Sequence, residues 1–175
     1  MTDRTLYIVV CGAPLASRVG DGVRQARDRG WSPYVIPTDA ALPWLEDQDL
    51  GGAPVITGNR KLGESRRTPK ADAVVVAPLT FNSLNAWANG NATTYPLTTL
   101  CAALGSRTPT VAVPFAKHDL AAHPAWLASL AVLRYAGVAV VDPHDGSAVS
   151  LEPITSGTGD AVTQAFEWDW ALDRL

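Results

Sequence analysis

Histidine and cysteine are the scarcest reactive residues of this 175-residue chain, which holds three of the first and two of the second. No histidine lies between Met1 and Lys117, so that stretch lacks the one side chain whose unperturbed ionisation falls near neutral pH. Cys11 and Cys101 are too few for a disulfide framework and have no metal-ligand spacing, so neither a stapled scaffold nor a metal centre is expected. Both are expected as reduced thiols, Cys101 as a small core residue and Cys11 packed at the end of the first strand, close to the proposed site. Charge is also sparse. Fourteen Lys and Arg against seventeen Asp and Glu leave a net charge of -3 with no basic face, which points away from nucleic acid and from anionic membranes. No apolar run approaches the length of a membrane span. The opening MTDRT carries an acid and leads into a strand rather than a signal-peptide core, so a cytoplasmic location is expected. Neither GxxxxGK[ST] nor GxGxxG is present, which removes support for nucleoside-triphosphate hydrolysis and for an ordinary dinucleotide fingerprint.

What is present is most informative at Ala73 to Ser83, AVVVAPLTFNS, where an uninterrupted apolar run breaks at Pro78 into small hydroxyl and amide side chains. A parallel strand covered on both faces needs no polar alternation. Open α/β sheets place ligands just outside the carboxyl ends of their strands, which is where Thr80, Asn82 and Ser83 would fall. The plainer reading is a loop that caps the next helix, since Asn and Ser are favoured there.

The remaining pattern alternates strands and helices over one domain, residues 1–175, a length suited to one substantial core. Leu6 to Cys11 reads as a strand ending at Gly12-Ala13-Pro14, and Val19, Val23 and Ala26 recur at helical spacing until Gly30. Trp31 to Ile36 reads as a strand whose Pro33 requires its beginning or an edge. A short helix follows around Leu42, Trp44 and Leu45, then a short extended segment at Pro54 to Thr57 and a polar surface loop from Gly58 to Lys70. Ser83 to Ala88 reads as helix, Asn89-Gly90-Asn91 as a break, and Leu97, Leu100, Cys101 and Leu104 as the buried face of another helix. Thr110 to Val113 is the next strand, then a helix with Leu127, Leu130, Ala131 and Arg134 in phase, a strand from Val138 to Val141, and a final helix from Asp160 to Leu175 with Val162, Phe166 and Trp170 on one face. Such alternation implies right-handed βαβ units. The expected fold is α/β, a three-layer αβα sandwich with a Rossmann-like, mainly parallel sheet.

Three loops then converge at the carboxyl edge: Gly12 to Pro14, Thr38 to Ala40, and Pro78 to Ser83. Gly12 permits close backbone approach, the amides opening the next helix favour an anion, and hydroxyls at Thr38, Thr80 and Ser83 can complete a phosphate site without a lysine. A phosphorylated cofactor held by neutral donors fits this set. FMN is such a ligand, though composition does not choose it over other phosphates.

With these residues assembled, the chain resembles the flavin-containing cysteine decarboxylase superfamily, which includes phosphopantothenoylcysteine decarboxylase and the peptidyl-cysteine decarboxylases of lantibiotic maturation. The resemblance runs from Leu6 to about Val141. The family's PASANT signature is similar to Pro78-Leu79-Thr80-Phe81-Asn82-Ser83, with proline and asparagine retained. Its Gly-Ser turn is similar to Gly12-Ala13, and its polar residue after the second strand to Thr38. The resemblance implies FMN held by Gly12, Ala13, Pro14, Thr38, Thr80, Phe81, Asn82 and Ser83, with Phe115 contributing backbone contacts near the flavin and no metal. It also implies a small-molecule or peptide thiol substrate and a homotrimer, or a dodecamer built from trimers. Trp31, Trp44, Trp87 and Trp126 then become candidate interface anchors.

The catalytic part departs from the family pattern. The essential histidine ahead of the PASANT strand falls, without gaps, on Glu64, beside Arg66, Arg67 and Lys70, where a solvated surface carboxylate is the plainer reading. The PxMNxxMW segment, whose asparagine binds the substrate carboxylate, matches only as Pro114-Phe115-Ala116-Lys117; Lys117 can bind a carboxylate as a point charge, without a planar amide's geometry. His118 stands beside it. His123 precedes Pro124 at a helix start and reads as a local cap, while His144 belongs to the turn Pro143-His144-Asp145-Gly146. Three functions remain open: oxidative decarboxylation of a cysteine-derived or C-terminal peptidyl-cysteine substrate with Glu64 and Lys117 as catalytic candidates, a non-catalytic flavin carrier or sensor, and a flavin prenyltransferase.

Overall fold

Strand β1 (Arg4–Val10) is buried from Thr5 onward because it is hydrogen-bonded on both edges and covered on both faces. Its neighbours are β2 (Trp31–Pro37) and β3 (Ala73–Leu79); β3 pairs with β4 (Thr110–Pro114) and β4 with β5 (Ala139–Val140). All four pairings are parallel and the order is β2-β1-β3-β4-β5. The computed structural model describes residues 4–59, 62–65, 68–148 and 151–175.

Alternate residues of the strands feed two separate cores, which gives the three-layer αβα sandwich. Leu6, Ile8, Val10, Val75, Val111 and Val113 face α1 (Val19–Asp28) and the C-terminal helices α7 (Gly159–Ala165) and α8 (Asp169–Leu172). Tyr7, Val9, Val74, Val76 and Ala112 face α3 (Phe81–Ala88), α4 (Tyr95–Gly105) and α6 (Pro124–Tyr135). Two short helices, α2 (Leu42–Leu45) and α5 (His118–Ala121), follow β2 and β4. The caps are local: Thr94 accepts the Leu97 N–H, and the His123 ring accepts the Ala125 N–H ahead of Pro124 at the first position of α6. Pro33 sits on an outer strand as expected, and the extended segment after Pro54 touches that strand through one bridge, Val35 to Val55.

Four sequence expectations are corrected. Along α6 the buried residues are Trp126, Ser129, Leu130 and Leu133, while Leu127 is 61% exposed. This helix is apolar on its outer side too, so periodicity alone does not select the inner face. The single C-terminal helix is two, because Phe166 is extended with ψ at 131° and turns the chain. Phe166 instead makes edge-to-face contacts with Trp168 and Trp170 at 5.7 and 5.6 Å. Trp31, Trp87 and Trp126 are core residues, and of the four tryptophans considered as interface anchors only Trp44 is exposed. Large rings are drawn inward by the area they bury. Cys101 is half-buried on the flank of α4 rather than in the core.

The tail is docked by a small set of contacts. Arg18 donates from one guanidinium nitrogen to the carbonyls of Thr163, Gln164 and Phe166 at 3.0, 2.9 and 2.8 Å, satisfying the open carbonyl end of α7. Trp168 is fully buried and donates its indole N–H to the Arg18 carbonyl at 2.9 Å. Its ring lies over Gly22 of α1, where an added Cβ would stand 2.5 Å from the indole. Gly to Ala inside a helix ordinarily gains about 1 kcal/mol. Here Gly22→Ala is expected to reverse that sign and lower stability by about 1–3 kcal/mol through overpacking, and Trp168→Ala to cost about 3–5 kcal/mol. Urea unfolding midpoints check both, and an unchanged or raised midpoint for Gly22→Ala would show that the tail does not dock as described.

Candidate functional site

In this strand order the chain leaves β1 toward β2 on one side and later returns to β3 on the other. The loops after β1 and β3 therefore diverge and leave a crevice at the carboxyl edge, between β1 and β3. Backbone bonds draw four loop starts to that crevice. Thr38 N–H donates to the Val10 carbonyl at 2.8 Å, Cys11 N–H to Pro78 at 3.1 Å, and Phe115 N–H to Leu79 at 2.8 Å. Gly12, Ala13, Pro14, Thr38, Thr80, Phe81, Asn82, Ser83 and Phe115 thus all belong to loops or helix starts at one edge of the sheet. The reason for glycine at position 12 is the chain itself: a Cβ there would lie 2.5 Å from the Ala40 carbonyl oxygen.

Thr38, Thr80 and Ser83 bring neutral hydroxyls to this edge, with Asp39 and Lys117 as exposed charges in the loops after β2 and β4. Thr80 is the N-cap residue of α3 by its extended backbone, yet its side chain makes no capping bond; its hydroxyl donates to Ser83 Oγ at 3.4 Å instead. The plain capping reading therefore fails for Thr80, and the first-turn N–H groups of α3 are left for another acceptor. Thr38 Oγ1 is buried without a hydrogen-bond partner, an arrangement that costs free energy unless something bonds it. Burial pushes the Cys11 thiol above its ordinary pKa, while hydrogen bonds with Ser83 and Thr80 pull the other way. Cys11 is thus a neutral, packed thiol touching both hydroxyl residues.

Phe81 is half-buried, stacked on Trp126 with centroids 6.0 Å apart and edge-on to His123 at the same distance. Asn82 is exposed at the first turn of α3. Lys117 is the exposed N-cap of α5, and its flanks are tied to a segment that sequence reasoning missed: Ile154 N–H donates to Ala116 at 2.9 Å and His118 N–H to Ile154 at 3.1 Å. Beyond Ile154 the chain turns on Thr155 and Thr158 and brings Gly159 against Pro14 and Phe115, its Cβ position lying 3.4 Å from Pro14 Cγ. The signal was available in Thr155-Ser156-Gly157-Thr158-Gly159, a hydroxyl and glycine run ahead of a helix. Glu64 is exposed in the loop leading to the amino end of β3; Arg66 and Arg67 lie outside the described residues. His144 is structural as expected, bonded with Asp142, whose buried carboxylate also accepts from Glu152 N–H.

A groove of about 570 Å³ at the opposite edge is lined by residues such as Tyr7, Val74, Tyr95 and Ala103, and its Thr98, Thr99 and Ser106 hydroxyls are already bonded within the chain. It shares no residue with the crevice. Among the described residues no cluster of three or more His, Cys, Asp or Glu can hold a metal ion, and no helix is long and apolar enough to cross a membrane.

The chain is similar over most of its length to several known proteins. The coenzyme A biosynthesis bifunctional protein CoaBC of Mycolicibacterium smegmatis is 31% identical over 150 residues, covering 82% of this chain; the chain spans 36% of that protein's length. The crystal structure of the FMN-dependent cysteine decarboxylase SpaF superposes with a TM-score of 0.66 at 26% identity, covering 94% of this chain and 97% of that one. A PPC decarboxylase mutant complexed with pantothenoylaminoethenethiol shares the fold with a TM-score of 0.69 at 18% identity, covering 81% and 82% of the two chains. The Flavoprotein family model matches residues 1–164, and the chain belongs to the Flavoprotein family.

Proposed function

We propose that the crevice binds FMN and that the protein oxidatively decarboxylates a cysteine-derived or C-terminal peptidyl-cysteine substrate. The observation that carries the cofactor reading is the buried, unpartnered Thr38 hydroxyl beside the Gly12 turn and the hydroxyl pair of Thr80 and Ser83. These groups, with the amides of the first turn of α3, fit a phosphate and ribityl chain held without lysine. When bound, the flavin would supply the two-electron oxidation at the thiol-bearing carbon that makes the neighbouring carboxylate a leaving group. Asn82 and Phe81 orient the ring system, and the Phe115 backbone borders it. Lys117, exposed at the start of α5, attracts the substrate carboxylate as a point charge. Glu64 is the aligned candidate for proton exchange. The homotrimer, or dodecamer built from trimers, that the family resemblance implies comes with this reading, with flavin at subunit boundaries.

A second reading, a flavin carrier or sensor, is favoured by two observations: Glu64 is exposed, and no histidine precedes His118.

Purified protein is expected to be yellow and to titrate with FMN; colourless protein that refuses FMN removes both readings. Thr38→Val and Ser83→Ala are each expected to weaken FMN binding about tenfold, the loss of one hydrogen bond to a charged group, read by quenching of flavin fluorescence. Peptides ending in cysteine should release carbon dioxide, and Lys117→Ala should raise KM several-fold with kcat little changed. Silence over a broad peptide panel selects the carrier. Sedimentation is expected to give a multiple of three chains, and a monomer at working concentration counts against an intersubunit flavin.

A further inference from the structure

The three histidines stand in different surroundings. The His118 side chain is 76% exposed, with Nδ1 3.9 Å from the Asp119 carboxylate. His144 is held by Asp142 at 2.9 Å in the turn after β5. His123 is the one with a ring contact to a residue of the crevice, Phe81, with centroids 6.0 Å apart and planes at 85°. Phe81 occupies the chain position between Thr80 and Asn82 and is backed by Trp126.

The cap of α6 also sets the chemistry of this ring. His123 Nδ1 accepts the Ala125 N–H at 3.0 Å and so carries no proton, and the neutral imidazole therefore holds its hydrogen on Nε2. One hydrogen bond thus fixes both the tautomer and the ring plane. The residue as a whole is exposed. Lys117 and His123 are separated only by α5 and Ala122, each the N-cap of the helix it opens. An ammonium on a flexible stem attracts a carboxylate without directing it, whereas an imidazole held by its cap and by Phe81 offers one directed donor.

We propose that His123 is a substrate-orienting residue: its Nε2–H donates to an oxygen of the substrate carboxylate that Lys117 attracts, beside Phe81. The inference rests on the FMN and cysteine-substrate reading above. It involves no proton transfer: the ring donates a hydrogen bond and keeps its hydrogen.

The test uses FMN-loaded full-length protein and two non-oxidisable probes, N-acetylglycyl-S-methylcysteine and its C-terminal carboxamide. His123→Asn keeps a capping oxygen and removes the ring, so the thermal midpoint and FMN affinity are expected to hold, while His123→Ala should lose stability with the cap. Calorimetric affinity for the acid is expected to fall about tenfold in His123→Asn, with little change for the carboxamide. In the unmodified protein, long-range proton–nitrogen NMR should show the Nε2–H tautomer for His123, with a shift on adding the acid. An equal loss for both probes, no loss for the acid, or an Nδ1–H tautomer overturns the assignment. FMN binding with acid affinity untouched by His123→Asn defeats this inference alone. Failure of the unmodified protein to bind FMN or the acid defeats it together with the reading on which it rests.

Discussion

Parallel pairing of β1 on both edges is the constraint from which the site follows. A strand with parallel neighbours on either side sends its carboxyl end to the same edge as theirs, and the chain must leave that edge through crossovers running in opposite directions. Buried on both faces, the strands carry mostly apolar side chains, with Thr5 and Thr110 as buried exceptions. Polar residues are displaced to the first positions after each strand, which is how Gly12, Thr38, Thr80 and Phe115 become neighbours without being near in sequence. The bonds from Cys11 to Pro78 and from Thr38 to Val10 then lock the loops to the strand ends that project them.

The tail makes the site and the stability of the domain interdependent. Arg18 lies just after the turn that follows β1, and it is the residue that holds the carbonyl end of α7. Trp168 closes against Gly22 from the same side. Through α7 these contacts place Gly159 on Pro14 and Phe115, so the segment bordering the crevice is positioned by packing about a helix length away. A defect in that docking would reach the crevice without touching any polar group in it.

The chain belongs to the Flavoprotein family, whose model spans residues 1–164 and so takes in every strand of the sheet and all the loops that follow them. The hydroxyls and glycine that suit a phosphate are present where the fold brings them together. Of the other residues singled out in the sequence, Glu64 and Lys117 are exposed, and the His123 ring accepts a backbone N–H as a helix cap.

Strands and loop chemistry were legible in the sequence because they depend on local rules. AVVVAP reads as a strand buried on both faces, and Thr80, Asn82 and Ser83 after it fall at the edge where that strand ends. The cap at His123 and the break at Gly90 followed from residue types whose backbone preferences are intrinsic. The inner face of α6 was not legible, since Leu127 and Leu130 are equally apolar and only the sheet beneath distinguishes them. Nor was the break at Phe166, where two tryptophans compete for one ring, or the approach of Thr155 to Gly159 to a loop about 140 residues earlier. Local preference and periodicity determined which elements form and where polar groups leave them. Contacts between distant segments, whose free energy exists only once the core has closed, decided which faces are buried and which residues share the crevice.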